Sequence, residues 1–342
     1  MSDGIVDLRS DTVTRPTAAM RRAMADAEVG DDEYGEDPTV NRLEEMAAEL
    51  TGKDHAMFVP SGTMANQLAL RLLGRPGTDV LCAERAHVFR YEAAATAQNS
   101  GVQLRPVADA DGCMSVAQIE AACADQAHHL PPLSAVAIEN THMAASGRPL
   151  RVHEVEAVTT VARAHGLRVH CDGARIWNAA IALATTPAAL AIGCDTVMFC
   201  FSKGLAAPVG SILCGSNEVM DQARAERARL GGGMRQAGVI AAAGIVALEQ
   251  MVDRLVEDHG RARRLAEALA DRFPDSVDPE TVETNIVCAP LDRLPDKIVD
   301  RLAEHGIRCG TIDARTVRFV THHDVDDAAL DRTIVALDAV AA

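Results

Sequence analysis

Short apolar runs recur along the chain at 56–59, 79–83, 103–107, 135–139, 167–171, 196–201 and 210–214. Most intervals between them carry apolar residues at helical spacing, at 64–73, 88–98, 115–127 and 152–165. Runs this short, rich in β-branched residues and bounded by turn formers, read as buried strands joined by helical crossovers. The alternation predicts an α/β fold, a mostly parallel sheet covered by helices on both faces. Upstream, 1–16 reads as an irregular arm ending at Pro16. Helices follow at 17–27 and 38–51, separated by an acidic loop at 30–37, the second capped by Asp37 with Pro38 in its first turn. Downstream, a long helical region from 217 to about 273 is interrupted by Gly231-Gly232-Gly233. The tail then turns to a smaller α+β unit, with strands at 284–289 and 316–321 and helices at 295–305 and from 326. The pattern divides the chain into an arm (1–16), a large domain (17–250) and a small C-terminal domain (251–342).

Composition narrows the function. Only 3% of residues are aromatic, so the core is built from Ala, Val, Leu and Ile. The 33 basic residues against 49 acidic ones leave a net charge of -16, which offers no electrostatic footprint for nucleic acid or an anionic membrane. Small-molecule partners are expected. Nine cysteines without a Cys-x-x-Cys pair, several inside apolar runs, read as buried thiols in a reducing compartment, so neither a disulfide framework nor a metal site is expected. The N-terminus has no apolar signal core and the longest apolar run, 237–248, is too short to span a bilayer. A cytoplasmic protein is expected.

In a parallel sheet the chemistry gathers where strands end. Lys203 follows the run 196–201, where desolvation favours a neutral amine able to form a Schiff base; the plain alternative is a lysine reaching to water. Asp172 ends another run, in His170-Cys171-Asp172-Gly173-Ala174-Arg175. A carboxylate there needs a cation or a protonated nitrogen beside it, or else it only caps the next helix. Together Lys203 and Asp172 suit a heterocycle with a protonated ring nitrogen and an aldehyde. Arg175 faces the same site or simply pairs with Asp172. Ser61-Gly62-Thr63 opens a helix and offers amides and hydroxyls to an anion such as phosphate, or serves as a cap. His87 and His142 lie in segments after strands, at the ligand edge, while His322 and His323 read as surface.

The segments Asp7 to Pro16, Gly30 to Thr39, Pro60 to Met64, Ile138 to His142, His170 to Arg175, Phe201 to Gly204 and Gly231 to Gly238 together resemble the low-specificity threonine aldolases. These are pyridoxal 5'-phosphate enzymes of the aspartate-aminotransferase fold, fold type I. The resemblance runs from Asp7 to about His322. It implies an aldehyde-lyase that cleaves L-threonine, L-allo-threonine and related β-hydroxy-α-amino acids reversibly to glycine and an aldehyde. It further implies Lys203 as the amine that binds the cofactor, Asp172 on the pyridine nitrogen, Arg175 near the ring hydroxyl, His87 stacked on the ring, and Gly62 and Thr63 on the phosphate. Ser10 and Arg318 are implied on the substrate carboxylate and His142 beside the β-carbon. Tyr34 and Arg235 are implied to enter from a neighbouring subunit of a homotetramer. The β-hydroxyl base stays open among His87, His142, water and the cofactor phosphate. One departure is that family members often carry a lysine shortly before the glycine triplet, where this chain has Arg227, Ala228 and Arg229. A β-eliminating lyase or aminotransferase would share Lys203 and Asp172; a non-catalytic binding protein would have no use for both.

Overall fold

The structure, a computed structural model, describes residues 4–109, 111–125 and 127–341, so the parts of the expected arm, the helix expected at 115–127 and the C-terminus that fall at 1–3, 126 and 342 lie outside the described residues. Strand β1 (Val6–Asp7) belongs to the arm. Strands β2 (His55–Val59), β3 (Asp79–Ala83), β4 (Gln103–Val107), β5 (Leu133–Glu139), β6 (Arg168–Asp172), β7 (Thr196–Cys200) and β8 (Ser211–Gly215) form one sheet in the order β2-β8-β7-β6-β5-β3-β4. Among the described residues only β8 runs against its neighbours in this sheet. Every residue of β3, β7 and β8 is buried, as strands covered on both faces require.

The helices form where caps and apolar stripes coincide. Asp37 accepts from Thr39 N and Val40 N to start Pro38–Thr51, and its other oxygen accepts from Gly238 N at 2.8 Å, joining that helix to Gly238–Gln250. Ser115 and Gln118 close a capping box on Val116–Ala124. The single helix expected over 88–98 is instead two short ones, His87–Arg90 and Ala95–Ser100. The break falls where Ala93 and Ala94 take φ of 52° and 59°, and it turns the Glu92 carboxylate inward onto Asn66 and Gln67. The expected helical region at 217–273 is likewise three helices, Asn217–Arg229, Gly238–Gln250 and Leu255–Arg272.

The tail adds β9 (Ile286–Pro290), β10 (Ile307–Arg308), β11 (Gly310–Thr311) and β12 (Thr316–Val320). Of these, β11, β12 and β9 make an antiparallel sheet, and β10 pairs in parallel with β1. The arm therefore packs with the tail: Val6 and Leu8 lie in one core with Leu265, Leu269, Phe319 and Leu337. Leu255, at the start of the preceding helix, packs in the large core. Beyond Leu8 the arm returns to the main sheet, where Thr14 Oγ1 donates to Lys203 O at 3.0 Å. Among the described residues no disulfide joins the nine cysteines, and no helix is long and apolar enough to cross a membrane.

Candidate active site

A cavity of about 200 Å³ opens at the carboxyl ends of β6 and β7, and Lys203, Asp172, His87, Gly62, Thr63 and Asn66 all line it. Five residues singled out from the sequence thus meet there. The remainder of the site is built around Asp172, which is buried at the end of β6. Its Oδ2 accepts from Asn66 Nδ2 at 2.7 Å and its Oδ1 from Ala174 N at 3.1 Å. Burial pushes this carboxyl up, but the charges of His87 and Lys203 outweigh it and hold Asp172 below the usual carboxylate range.

Asn66 was not among the residues read from the sequence. Its Nδ2 contacts two carboxylates, Asp172 and Glu92, each at 2.7 Å, which fixes the orientation of the amide. Asn66 Oδ1 must then accept from His170 Nε2 at 2.9 Å, and His170 Nδ1 from Thr196 Oγ1 at 2.9 Å. Burial pushes His170 down to about 4, in keeping with a neutral ring.

His87 opens the helix after β3. Its backbone N donates to Glu139 Oε2 at 2.7 Å and its Nδ1 lies 2.9 Å from Glu92 Oε1. On the other side of the cavity, Gly62 and Thr63 are the first residues of helix Gly62–Leu73, capped by Ser61 Oγ on Met64 N. Their amides precede the reach of any intrahelical carbonyl and sit at the positive end of the helix dipole. A Cβ on Gly62 would lie 2.8 Å from Cys200 Sγ, so the close approach of this backbone to β7 requires glycine.

Arg175 does not pair with Asp172. Its Nε and Nη2 bond Asp11 Oδ2 and Oδ1 at 2.7 and 2.6 Å. Arg318, on β12, donates from Nη2 to Arg9 O at 2.9 Å, next to Ser10, and its buried Nε has no partner. Ser10 Oγ accepts from Thr12 N and so starts the 3-10 turn Asp11–Val13.

Arg175, Arg318 and Ser10 lie outside the cavity lining, and so do the other three residues read from the sequence. His142 is wholly buried, with neither ring nitrogen hydrogen-bonded, and its Nε2 is 3.9 Å from Glu139 Oε2. Tyr34 is 77% exposed, and the Arg235 side chain is 64% exposed. These two share one surface: Asp32 N donates to Arg235 O, and Arg235 Nη1 lies 3.5 Å from Glu33 Oε2. His322, read as surface, is instead buried, its Nε2 on Asp7 O at 2.8 Å. At the departure before the glycine triplet, Arg227 is buried and bonds Asp32 Oδ2 at 2.7 Å and Phe58 O at 2.9 Å.

A mostly parallel seven-stranded sheet with a small antiparallel C-terminal sheet is the architecture of fold type I, the class of pyridoxal-phosphate enzymes. The family described as beta-eliminating lyase matches residues 7–292. Low-specificity L-threonine aldolase 1 of Arabidopsis thaliana is 44% identical over 286 residues, 82% of this chain and 80% of that one. The low specificity L-threonine aldolase of Escherichia coli (strain K12) is 41% identical over 278 residues, 81% and 83% of the two chains. The solved threonine aldolase of Leishmania major superposes with a TM-score of 0.86 at 20% identity, covering 98% and 99%, which speaks for the fold. The chain belongs to the low-specificity L-threonine aldolase family.

Proposed function

We propose that the chain is a pyridoxal 5'-phosphate-dependent lyase that cleaves L-threonine, L-allo-threonine and related β-hydroxy-α-amino acids to glycine and an aldehyde, reversibly. The observation that carries this is the meeting of Lys203, Asp172, His87 and the Gly62–Thr63 helix start around one cavity in a chain of this family. The donor set fits the cofactor in kind: an amine for an aldehyde, an ionised carboxylate for a pyridinium, an imidazole for a ring face, and free helix amides for a phosphate. Bound there, pyridoxal phosphate would supply the electron sink for the pair left on Cα when the Cα–Cβ bond breaks.

The chain's own residues do the rest. Asp172, kept ionised by its surroundings, holds the proton on the ring nitrogen. Arg318, whose Nε lacks a partner, and Ser10 bind the substrate carboxylate and so orient the scissile bond. Arg175, seated on Asp11, would be the residue toward the ring hydroxyl. His87 is the base toward the β-hydroxyl: it lines the cavity, Glu92 occupies its Nδ1, and Nε2 is the nitrogen left to take the proton. His142 lies behind Glu139, one carboxylate removed from His87, and adjusts diastereomer preference. Arg235 and Tyr34, exposed on one surface, serve the site of a neighbouring subunit in a homotetramer. The role of the missing lysine is not taken up by Arg227, whose guanidinium is spent on Asp32 and Phe58 O. A cytoplasmic location is part of the proposal, as the cysteine pattern of the sequence suggests.

The test is the product set. Purified protein supplied with pyridoxal phosphate and L-threonine or L-allo-threonine is expected to release glycine and acetaldehyde. Release of a 2-oxo acid and ammonia would instead make it a β-eliminating lyase, and a protein that stays colourless with the cofactor would remove the reading altogether.

A further inference from the structure

Two amide donors and one ring nitrogen stand around the buried carboxyl of Glu92. Asn66 Nδ2 and His87 Nδ1 approach Oε1 at 2.7 and 2.9 Å, and Gln67 Nε2 approaches Oε2 at 2.7 Å. Glu92 itself is 3% exposed. A buried carboxyl that takes an amide hydrogen on each oxygen is stabilised as the carboxylate. Such a partner accepts only, so the nitrogen it faces must carry hydrogen, and in the neutral ring the lone pair is then on Nε2.

We propose that Glu92 is the positioning residue of His87: it fixes the ring orientation and the Nδ1–H tautomer, and through the shared Asn66 amide it ties that ring to the Asp172 carboxylate. The proposal rests on the reading of His87 as the base toward the β-hydroxyl. The broken helix explains why Glu92 can do this. A continuous helix would carry residue 92 on along the helical face, whereas the turn at Ala93 and Ala94 directs its carboxylate onto helix Gly62–Leu73. Asn66 and Gln67 are in turn two buried polar positions on an otherwise largely apolar helix; each gives an amide hydrogen to Glu92, and their second contacts are to Asp172 and Thr96 Oγ1.

The charged groups around His87 come from four elements: Glu92 from the turn after its own helix, Glu139 from the end of β5, Asp172 from the end of β6, and Lys203 from the segment after β7. The Tyr91 ring lies 5.6 Å away, centroid to centroid. Burial pulls His87 down, the bond to Glu92 and the charges of Asp172 and Glu139 push it up, Lys203 opposes them, and the balance stands above the ordinary histidine value. A base must be neutral to take a proton, so kcat/KM rises with pH through this value. Removing the Glu92 charge lowers it, moves the acid limb to lower pH and leaves a weaker base on the plateau.

Glu92→Gln keeps the shape, and the unpartnered Gln67 Oε1 can accept from the new amide once the Gln67 amide turns over. NMR spectra that read both ring nitrogens of the apoprotein, with His87 assigned by its loss in His87→Asn, are expected to show the Nδ1–H tautomer at high pH. In Glu92→Gln the His87 midpoint is expected to fall by about one pH unit. The acid limb of kcat/KM is expected to follow it, with the plateau lower by roughly tenfold. Glu92→Asp, which keeps the charge on a shorter stem, is expected to restore part of both. An Nε2–H tautomer in the wild type, which needs no variant to fold, overturns the proposal; so does an unmoved midpoint in Glu92→Gln. A shifted midpoint in a protein without aldol cleavage would sink the functional reading and leave the Glu92–His87 pair standing.

Discussion

Asp11 and Arg175 close a two-point ion pair inside the protein, with contacts of 2.7 and 2.6 Å between side chains that are 0% and 5% exposed. The pair joins the arm to the turn after β6, and Asn285 Nδ2 adds the small unit at 3.3 Å from Asp11 Oδ2. Burial pushes Asp11 up, but Arg175 foremost, then Lys203 and Asn285, hold it far below the usual carboxylate range. Three segments distant in sequence thus meet on one carboxylate beside the cavity.

Removing that carboxylate strands a buried guanidinium. Asp11→Ala is expected to cost about 3–5 kcal/mol in urea unfolding, with Asp11→Ala/Arg175→Met recovering much of the loss. A cost below about 1 kcal/mol, the range of an exposed pair, would show that the contact is solvated. The pH sign follows from the lowered value: the folded-state depression contributes stability fully above the unfolded value, about 3.9, and loses it as pH falls below that. The double variant should therefore lose stability less steeply than wild type in the acid range.

Lys203→Ala is expected to keep the fold and abolish turnover. The contacts that hold this segment are to the Lys203 backbone, whose carbonyl accepts from Thr14 Oγ1 and Ala206 N, so truncating the half-buried side chain removes an amine rather than core packing. Wild-type-like thermal unfolding with no glycine formed is the expected pair of results. Appreciable steady-state cleavage by the variant would refute the assignment.

Much of this frame was legible because it is periodic. Strands β3 and β4 fall where the apolar runs put them, and Lys203 and Asp172 are visible as polar residues at the exits of such runs. Asn66, Glu92 and Asp11 were not, because their meaning lies in contacts 26 to 164 residues away that no local pattern encodes. A signal did exist for Asn66 and Gln67: two amides on the buried face of an apolar helix require partners. Glu92 was hidden by helix propensity, since Ala93-Ala94-Ala95 favours a continuous helix. Tertiary hydrogen bonding to Glu92 overrides that preference and lets two alanines take positive φ.

Assembly is the next test. Arg235 and Tyr34 project from one exposed surface, and the glycines before Arg235 free the backbone there, Gly231 at φ 77°. If they complete a neighbour's site, activity depends on association. The chain is expected to sediment as a tetramer at micromolar concentration, and Arg235→Ala to weaken cofactor binding by about tenfold or more, the loss of one charge-assisted contact. A fully active monomer would contradict this.

His142 poses a different question, since it is buried without a hydrogen bond on either ring nitrogen. Gly112, at φ 85°, lies against it so closely that a Cβ there would fall 2.4 Å from His142 Cγ. Leaving such a group unpaired costs about 1–3 kcal/mol, which favours a partner supplied in another state of the protein. Glu139, 3.9 Å from His142 Nε2 and bonded to His87 N, is a partner of the right kind if a bound amino acid draws it closer, and one diastereomer would do so better than the other. His142→Phe keeps most of the ring volume and removes both nitrogens. It is expected to leave stability unchanged or higher, to leave the cofactor spectrum intact because Lys203, Asp172 and His87 are untouched, and to shift the ratio of kcat/KM for L-allo-threonine over L-threonine by about two- to tenfold, the worth of one hydrogen bond. Measuring both substrates on both proteins decides it: higher stability with an unchanged ratio would make His142 a packing residue of the Gly112 turn and nothing more.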